Sequence, residues 1–139
     1  MRQILSILLC LTSIISIYSQ QNYYVSSSLG DNNNAGTSEN SPFQTINRAF
    51  DNVEPGDTIY VMDGTYTNPD YGTASPHSSD GSQSTNMNNP PAVIVNKSGT
   101  AGNYITLRNL PGHNPKIKFD GRGGILINGP PVSYTHLTL

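Results

Sequence analysis

The residues able to do chemistry in this chain are few, and most fall in its second half. Lys116 and Lys118 alternate with Ile117 and Phe119 in "PKIKFD", which projects both ammonium groups to one side of an extended strand. With Arg108 and Arg122 they would form a basic patch suited to an anionic glycan. The plainer alternative is a solvated face whose like charges guard a strand edge. Tyr60, Tyr66, Tyr71 and Tyr104 carry rings that can stack on sugars or pack at the rim of a core. Asp63 and Asp120 each stand just before a glycine, where an aspartate is a metal ligand, an acid/base group or, more commonly, a turn former. In "GDNNNAG", Gly30–Gly36, Asp31 and Asn33 are spaced like the first ligands of a calcium loop, and Gly36 is the sixth residue from Asp31. Ala35 occupies a ligand position, however, and no glutamate closes the loop, so the stretch reads as an Asx-rich turn. His113 is alone in the turn "PGHNP", and Asn96–Ser98 matches a glycosylation acceptor.

None of these groups makes a site without a scaffold to position it. Met1-Arg2, the apolar run Ile4–Ile17 and the small Ser19 have the layout of a secretory signal peptide spanning residues 1–19. The run is short for a membrane anchor, which takes roughly 20 apolar residues. The single cysteine, Cys10, lies inside it, and "ILLC" lacks the small residue a lipobox places before its cysteine. Once the leader is removed, neither disulfide nor thiolate chemistry is available. A net charge of −2 gives no footprint for nucleic acid, and no membrane partner is expected after leader removal. Charged residues make up only 12%, while 13 Gly and 10 Pro indicate many turns. At the other end, Val132–Leu139 resembles a translated sequencing adapter. Residues 132–139 are therefore set apart as a non-native tail, and Ser133, Tyr134 and His136 carry no weight. Residues 20–131 remain as the folded part of a truncated domain.

Within that part, "NYYVS" (Asn22–Ser26) reads as a first strand and the Asn- and Ser-rich stretch after it as a loop. One helix is predicted over Ser41–Val53. Ser41 serves as N-cap, Gln44 completes a capping box, and Pro55-Gly56 forms the stop. Its stripe is Phe43, Ile46, Ala49, Phe50 and Val53. Asp57–Asp63 reads as a strand with Ile59 and Val61 on one face, and Asn68–Pro91 as a long polar excursion. Four short strands follow, at Ala92–Asn96, Asn103–Asn109, Pro115–Asp120 and Gly124–Asn128. Ile105 and Leu107 are echoed by Ile125 and Ile127 twenty residues later, which suggests a solenoid with a near-20-residue return. In a parallel β-helix each strand pairs with its equivalent one coil away, which explains strands this brief. An open first coil needs a lid, and the helix stripe suits that place. The competing architecture is an antiparallel sandwich.

The motifs Y-Y-V-S, S-P-F-Q-T-I, P-G-D-T-I-Y-V, G-T-Y and K-S-G-T-A-G-N-Y-I-T resemble the opening of secreted right-handed parallel β-helix proteins of the pectate-lyase-like superfamily. The similarity spans Tyr23 to about Gly129. The fold expected is all-β: the N-terminal coils of a right-handed parallel β-helix behind an amphipathic cap helix. The resemblance implies a parent that acts on an acidic polysaccharide as a polysaccharide lyase, cleaving uronic-acid-containing glycans by β-elimination. A cation, often calcium, or a basic side chain would neutralise the uronate. It also implies that the catalytic coils lie downstream, so no catalytic, cofactor-binding or metal residue carries over and the fragment itself is inactive. The alternative is a non-catalytic secreted or surface β-helix that binds carbohydrate or mediates adhesion.

Overall fold

A computed structural model describes residues 19–67, 91–119, 124–128 and 137–138. The leader with Cys10, the body of the excursion with Tyr71, Asp120, Arg122 and residues 132–136 of the tail lie outside the described residues.

Eight strands and one helix are described: β1 (Asn22–Val25), α1 (Ile46–Asn52), β2 (Thr58–Val61), β3 (Thr65–Thr67), β4 (Val93–Val95), β5 (Thr106–Asn109), β6 (Lys116–Lys118), β7 (Ile125–Ile127) and β8 (Leu137–Thr138). They form three parallel sheets, ordered β1-β2-β5-β8 (sheet A), β3-β6 (sheet B) and β4-β7 (sheet C). The chain visits A, B and C in turn through β2, β3 and β4, then again through β5, β6 and β7. This is the coil of a parallel β-helix, and every pairing between named strands is parallel. Each strand needs only three or four residues because it crosses one wall of a narrow prism. Its backbone partners come from the coils on either side.

Alternation selects the core. Val25, Ile59, Val61, Leu107, Val93 and Val95 point inward and are buried, and Ile117 and Ile125 pack partly against them. The return distance differs from the expected one. Leu107 pairs in register with Ile59 and Leu137, and Ile125 with Val93. The Ile105/Leu107 and Ile125/Ile127 pairs therefore sit on two different walls of the same coil, and the 20-residue echo is not the coil repeat. Similar apolar pairs recur at every wall because each wall obeys the same inward rule.

The helix is shorter than predicted. It begins at Ile46, and Thr45 is the N-cap, its Oγ1 accepting from the Arg48 N–H at 3.2 Å. Ser41 caps nothing. Instead, Pro42 and Phe43 run extended beside β1: the Phe43 N–H donates to Tyr24 O and the Ser26 N–H to Phe43 O. The backbone demand of β1's outer edge thus outweighs the local S-P-F-Q signal. The stripe itself is buried as expected, with Phe43, Ile46, Ala49, Phe50 and Val53 all in the common core. Thr65–Thr67, to which the sequence reading assigned no element, is a strand. Its Tyr66 enters the core.

Two devices close the first coil. Phe43 and Gly36 complete the edge of β1, the Tyr24 N–H donating to Gly36 O at 2.7 Å. Across sheet C, Asn47 of α1 acts as a side-chain rung: its Oδ1 accepts from the Ile94 N–H at 2.8 Å, and its Nδ2 reaches Ala92 O at 3.4 Å. Asn96 on Asp51 and Lys97 on Glu54 extend this seam outward.

Candidate functional site

The outward face of sheet A brings three separated residues into one column. Register places Tyr24 beside Tyr60 and Tyr60 beside Arg108. The two phenol rings stack with centroids 5.6 Å apart and planes at 23°. The Arg108 guanidinium carbon lies 5.9 Å from the centre of the Tyr60 ring. Two residues earlier in each strand, Asn22, Thr58 and Thr106 form a parallel polar column on the same face.

This arrangement decides between the readings offered for the tyrosines. Tyr60 has one ring face covered by Tyr24 and the other by Arg108, so a sugar has no free face there to stack on. Tyr66 is buried: its hydroxyl accepts from the Ser27 N–H and faces Val25 O at 3.1 Å and Met62 O at 2.9 Å. Burial raises its pKa above the ordinary phenol value, with the nearby Asp63 charge adding to the effect and the Ser27 hydrogen bonds opposing it. Tyr104 is partly exposed in the turn before β5. Tyr24, which the sequence reading passed over, is the ring that completes the column. Its signal was the shared parity of Tyr24 and Tyr60, legible only once the register is known.

The basic patch divides. Arg108 projects from sheet A, whereas Lys116 and Lys118 project from sheet B, exposed on either side of Ile117. Among the described residues the one Lys or Arg ion pair is Lys97–Glu54, so Arg108, Lys116 and Lys118 have no carboxylate partner there.

The remaining candidates are structural. Asp63 and His113 occupy equivalent turns of successive coils. The Asp63 N–H donates to His113 Nδ1 at 3.0 Å, and Asp63 Oδ1 accepts from the Asn114 N–H at 2.7 Å. The pair therefore stitches turn to turn. In the Gly30–Gly36 loop, Asp31 Oδ1 accepts from the Asn33 backbone and side chain at 2.8 and 2.9 Å. Asn32 Oδ1 accepts from the N–H groups of Gln44 and Thr45, both at 3.0 Å. These oxygens serve the chain's own donors, as an Asx-rich turn requires, and the set does not fit a calcium ion. Among the described residues no three His, Cys, Asp or Glu side chains gather as metal ligands. Asn96 points its Nδ2 at Asp51. The sequence reading also passed over Asp57. It is buried and holds together the start of the first coil, its two oxygens accepting from the Gln21 and Glu54 N–H groups, each at 2.8 Å. A cleft of about 390 Å³ lies between the start of α1 and β3, lined by Ser27, Gln44, Asn47, Tyr66 and Ala92 among others. Among the described residues its one titratable group is the Tyr66 phenol, which is already committed to the core.

The match that decides the family covers most of the chain: the Pel9A-like, right-handed β-helix region matches residues 23–139. This chain is a member of the Pel9A-like β-helix family. The Pel9A-like chain is similar in structure to a rhamnogalacturonan lyase, with a TM-score of 0.51 and 23% identity over 78% of this chain and 27% of that one. At that identity the likeness shows the fold alone. XylC in complex with xylose gives a TM-score of 0.45 at 22% identity, covering 68% of this chain and 11% of that one, and carries no argument. A lacto-N-biosidase of Bifidobacterium longum subsp. longum is 42% identical over 52 residues, 35% of this chain and 3% of that protein. The Pel9A-like chain thus spans a small part of each of these three proteins.

Proposed function

We propose that this Pel9A-like chain is the amino-terminal part of a secreted polysaccharide lyase that cleaves uronic-acid-containing glycans by β-elimination. The observation that carries the reading is the family match over residues 23–139, on a chain whose coils stack in the parallel register of the fold. The rhamnogalacturonan lyase that shares this fold gives it further support. In β-elimination, neutralising the uronate carboxylate acidifies the C5 proton. A basic side chain removes that proton, and the 4-linked sugar departs as the double bond forms. The described coils present no acid/base pair facing a groove, so the reading assigns this chemistry to coils beyond them. At the far end Phe119, Leu126 and Ile127 are exposed on β6, β7 and their flank. Further rungs would cover them.

The test is to incubate the complete gene product with pectin, alginate and chondroitin and follow ultraviolet absorbance from unsaturated sugars. A rise on one polymer is expected. A folded protein that binds these polymers and gives no rise on any would replace the lyase with the non-catalytic glycan-binding reading. Secretion is tested separately, by sequencing the mature amino terminus, expected next to Ser19.

A further inference from the structure

Charge among the described residues is sorted along the coil axis. Residues 19–67, the cap and first coil, hold six carboxylates and one cation, Arg48. Residues 103–119, most of the second coil, hold Arg108, Lys116 and Lys118 and no carboxylate. Of these three, Arg108 alone is braced. Its guanidinium carbon lies 5.9 Å from the centre of the Tyr60 ring, which in turn stacks on Tyr24. A guanidinium over an aromatic face presents its N–H donors in a rigid fork that matches a carboxylate. Arg108 is exposed and has no carboxylate partner among the described residues. An ordinary structural ladder needs only the rings. A cation set over the last ring of the ladder, in a described stretch with no acid, is placed to meet an anion.

We infer that Arg108, positioned by Tyr60 and Tyr24, anchors a carboxylate of a uronic-acid glycan lying along the outward face of sheet A. The inference rests on the polysaccharide reading and gives it a binding residue on this chain. Three rungs about 4.8 Å apart span about 10 Å, room for about two pyranose units. The polar column of Asn22, Thr58 and Thr106 runs beside them on the same face, within reach of sugar hydroxyls. Neutral rings do not stack on Tyr60, whose faces are occupied, so recognition depends on the charge of the sugar.

The test is affinity electrophoresis of the whole chain in gels containing polygalacturonate, its methyl ester or dextran sulfate. The ester has the same rings without the charge. Retardation by polygalacturonate, and by dextran sulfate, whose tetrahedral groups the fork also accepts, but not by the ester is expected. Arg108→Gln should weaken the polygalacturonate affinity about tenfold, the loss of one charge-assisted bidentate contact. Arg108→Lys should restore only part of it. Lys116→Gln with Lys118→Gln removes twice the charge from sheet B and should weaken binding less than Arg108→Gln alone. Thermal melts confirm that each variant is folded. The inference is overturned if Arg108→Gln binds like the parent, if the double lysine variant loses as much, or if the ester retards the chain equally. Unsaturated product from the complete gene product, alongside unchanged binding by Arg108→Gln, would sink this inference and leave the lyase reading standing.

Discussion

Asn47 is the residue on which the cap's fit to sheet C can be tested. Its Oδ1 accepts from the Ile94 N–H at 2.8 Å, while the contact to Ala92 O, at 3.4 Å, is too long to contribute much. Asn47→Ala leaves the Ile94 amide without its acceptor. A lost neutral hydrogen bond costs about 0.5–1.5 kcal/mol, and an unsatisfied buried donor about 1–3 kcal/mol. Here the donor is half-buried beside a cleft of about 390 Å³ that admits water, so the cost falls at the lower end, about 1–1.5 kcal/mol. Alanine returns about 0.5 kcal/mol through helix propensity. The net loss of global stability is therefore about 0.5–1 kcal/mol, a melting shift of only a few degrees. Locally the effect is larger, because the propensity gain does not protect the amide. Hydrogen exchange at Ile94 should accelerate beyond what the global change explains, with the Leu107 amide of the central strand as the internal reference. Asn47→Asp keeps an acceptor and adds a charge favourable to the first helical turn, so Ile94 should stay protected. If Ile94 exchanges at the parental rate in Asn47→Ala, the side-chain rung is not what closes sheet C.

Other perturbations probe the same construction. Tyr66→Phe strands the Ser27 N–H and should cost about 1–2 kcal/mol in urea melts. Because burial holds the Tyr66 phenol above its ordinary pKa, above about pH 10 the folded chain keeps a proton the unfolded chain has lost. Stability then falls as pH rises, and Tyr66→Phe should flatten that fall. Gly36→Ala would put a Cβ 2.2 Å from the Phe43 ring at φ +71°, so it should cost well over the roughly 1–2 kcal/mol of the left-handed backbone alone. Gly112→Ala, at φ +86° with open space around it, should cost no more than that backbone penalty, and paired melts compare the two. Asp57→Ala orphans two N–H donors and should lose about 2–4 kcal/mol, with Asp57→Asn keeping part of it.

The apolar pattern made most walls of the coil legible, but not β3, whose three residues carry a single inward side chain, Tyr66. Alternation in "TIYV" and "VIV" gave the buried sides of β2 and β4 directly, since period two admits only one inward set. The helix stripe was legible for the same reason at a different period. What could not be read was anything set by partners far away in sequence. The start of α1 was misplaced because Pro42 and Phe43 satisfy β1 rather than the helix, a competition invisible in the local S-P-F-Q string. Asn32 gave no hint that its amide oxygen would meet the Gln44 and Thr45 N–H groups, because the loop's own composition already explained its turn. The basic patch was legible as a set of residue types and illegible as a geometry. Alternation within one strand was enough to group Lys116 with Lys118, and nothing local separated them from Arg108.

Register explains that separation, and it explains why spacing in the sequence is a poor guide to any face of this fold. Ile59 reaches Leu107 through a coil that contains the long polar excursion, and Val93 reaches Ile125 through one that does not, yet both pairs stack as exact rungs. The length of a turn is therefore free, while the identity of the residue above is fixed, because hydrogen bonding between coils tolerates a loop of any size but no slip by one residue. A slip would turn Ile59 and Val61 outward and bury Tyr60. The same constraint that protects the core holds Tyr24, Tyr60 and Arg108 in line on the outside. A column on the surface of such a coil then needs no selection for spacing at all. It needs only the right side chain at the outward position of each rung, and that is how three residues far apart in sequence can make one anion-binding stack.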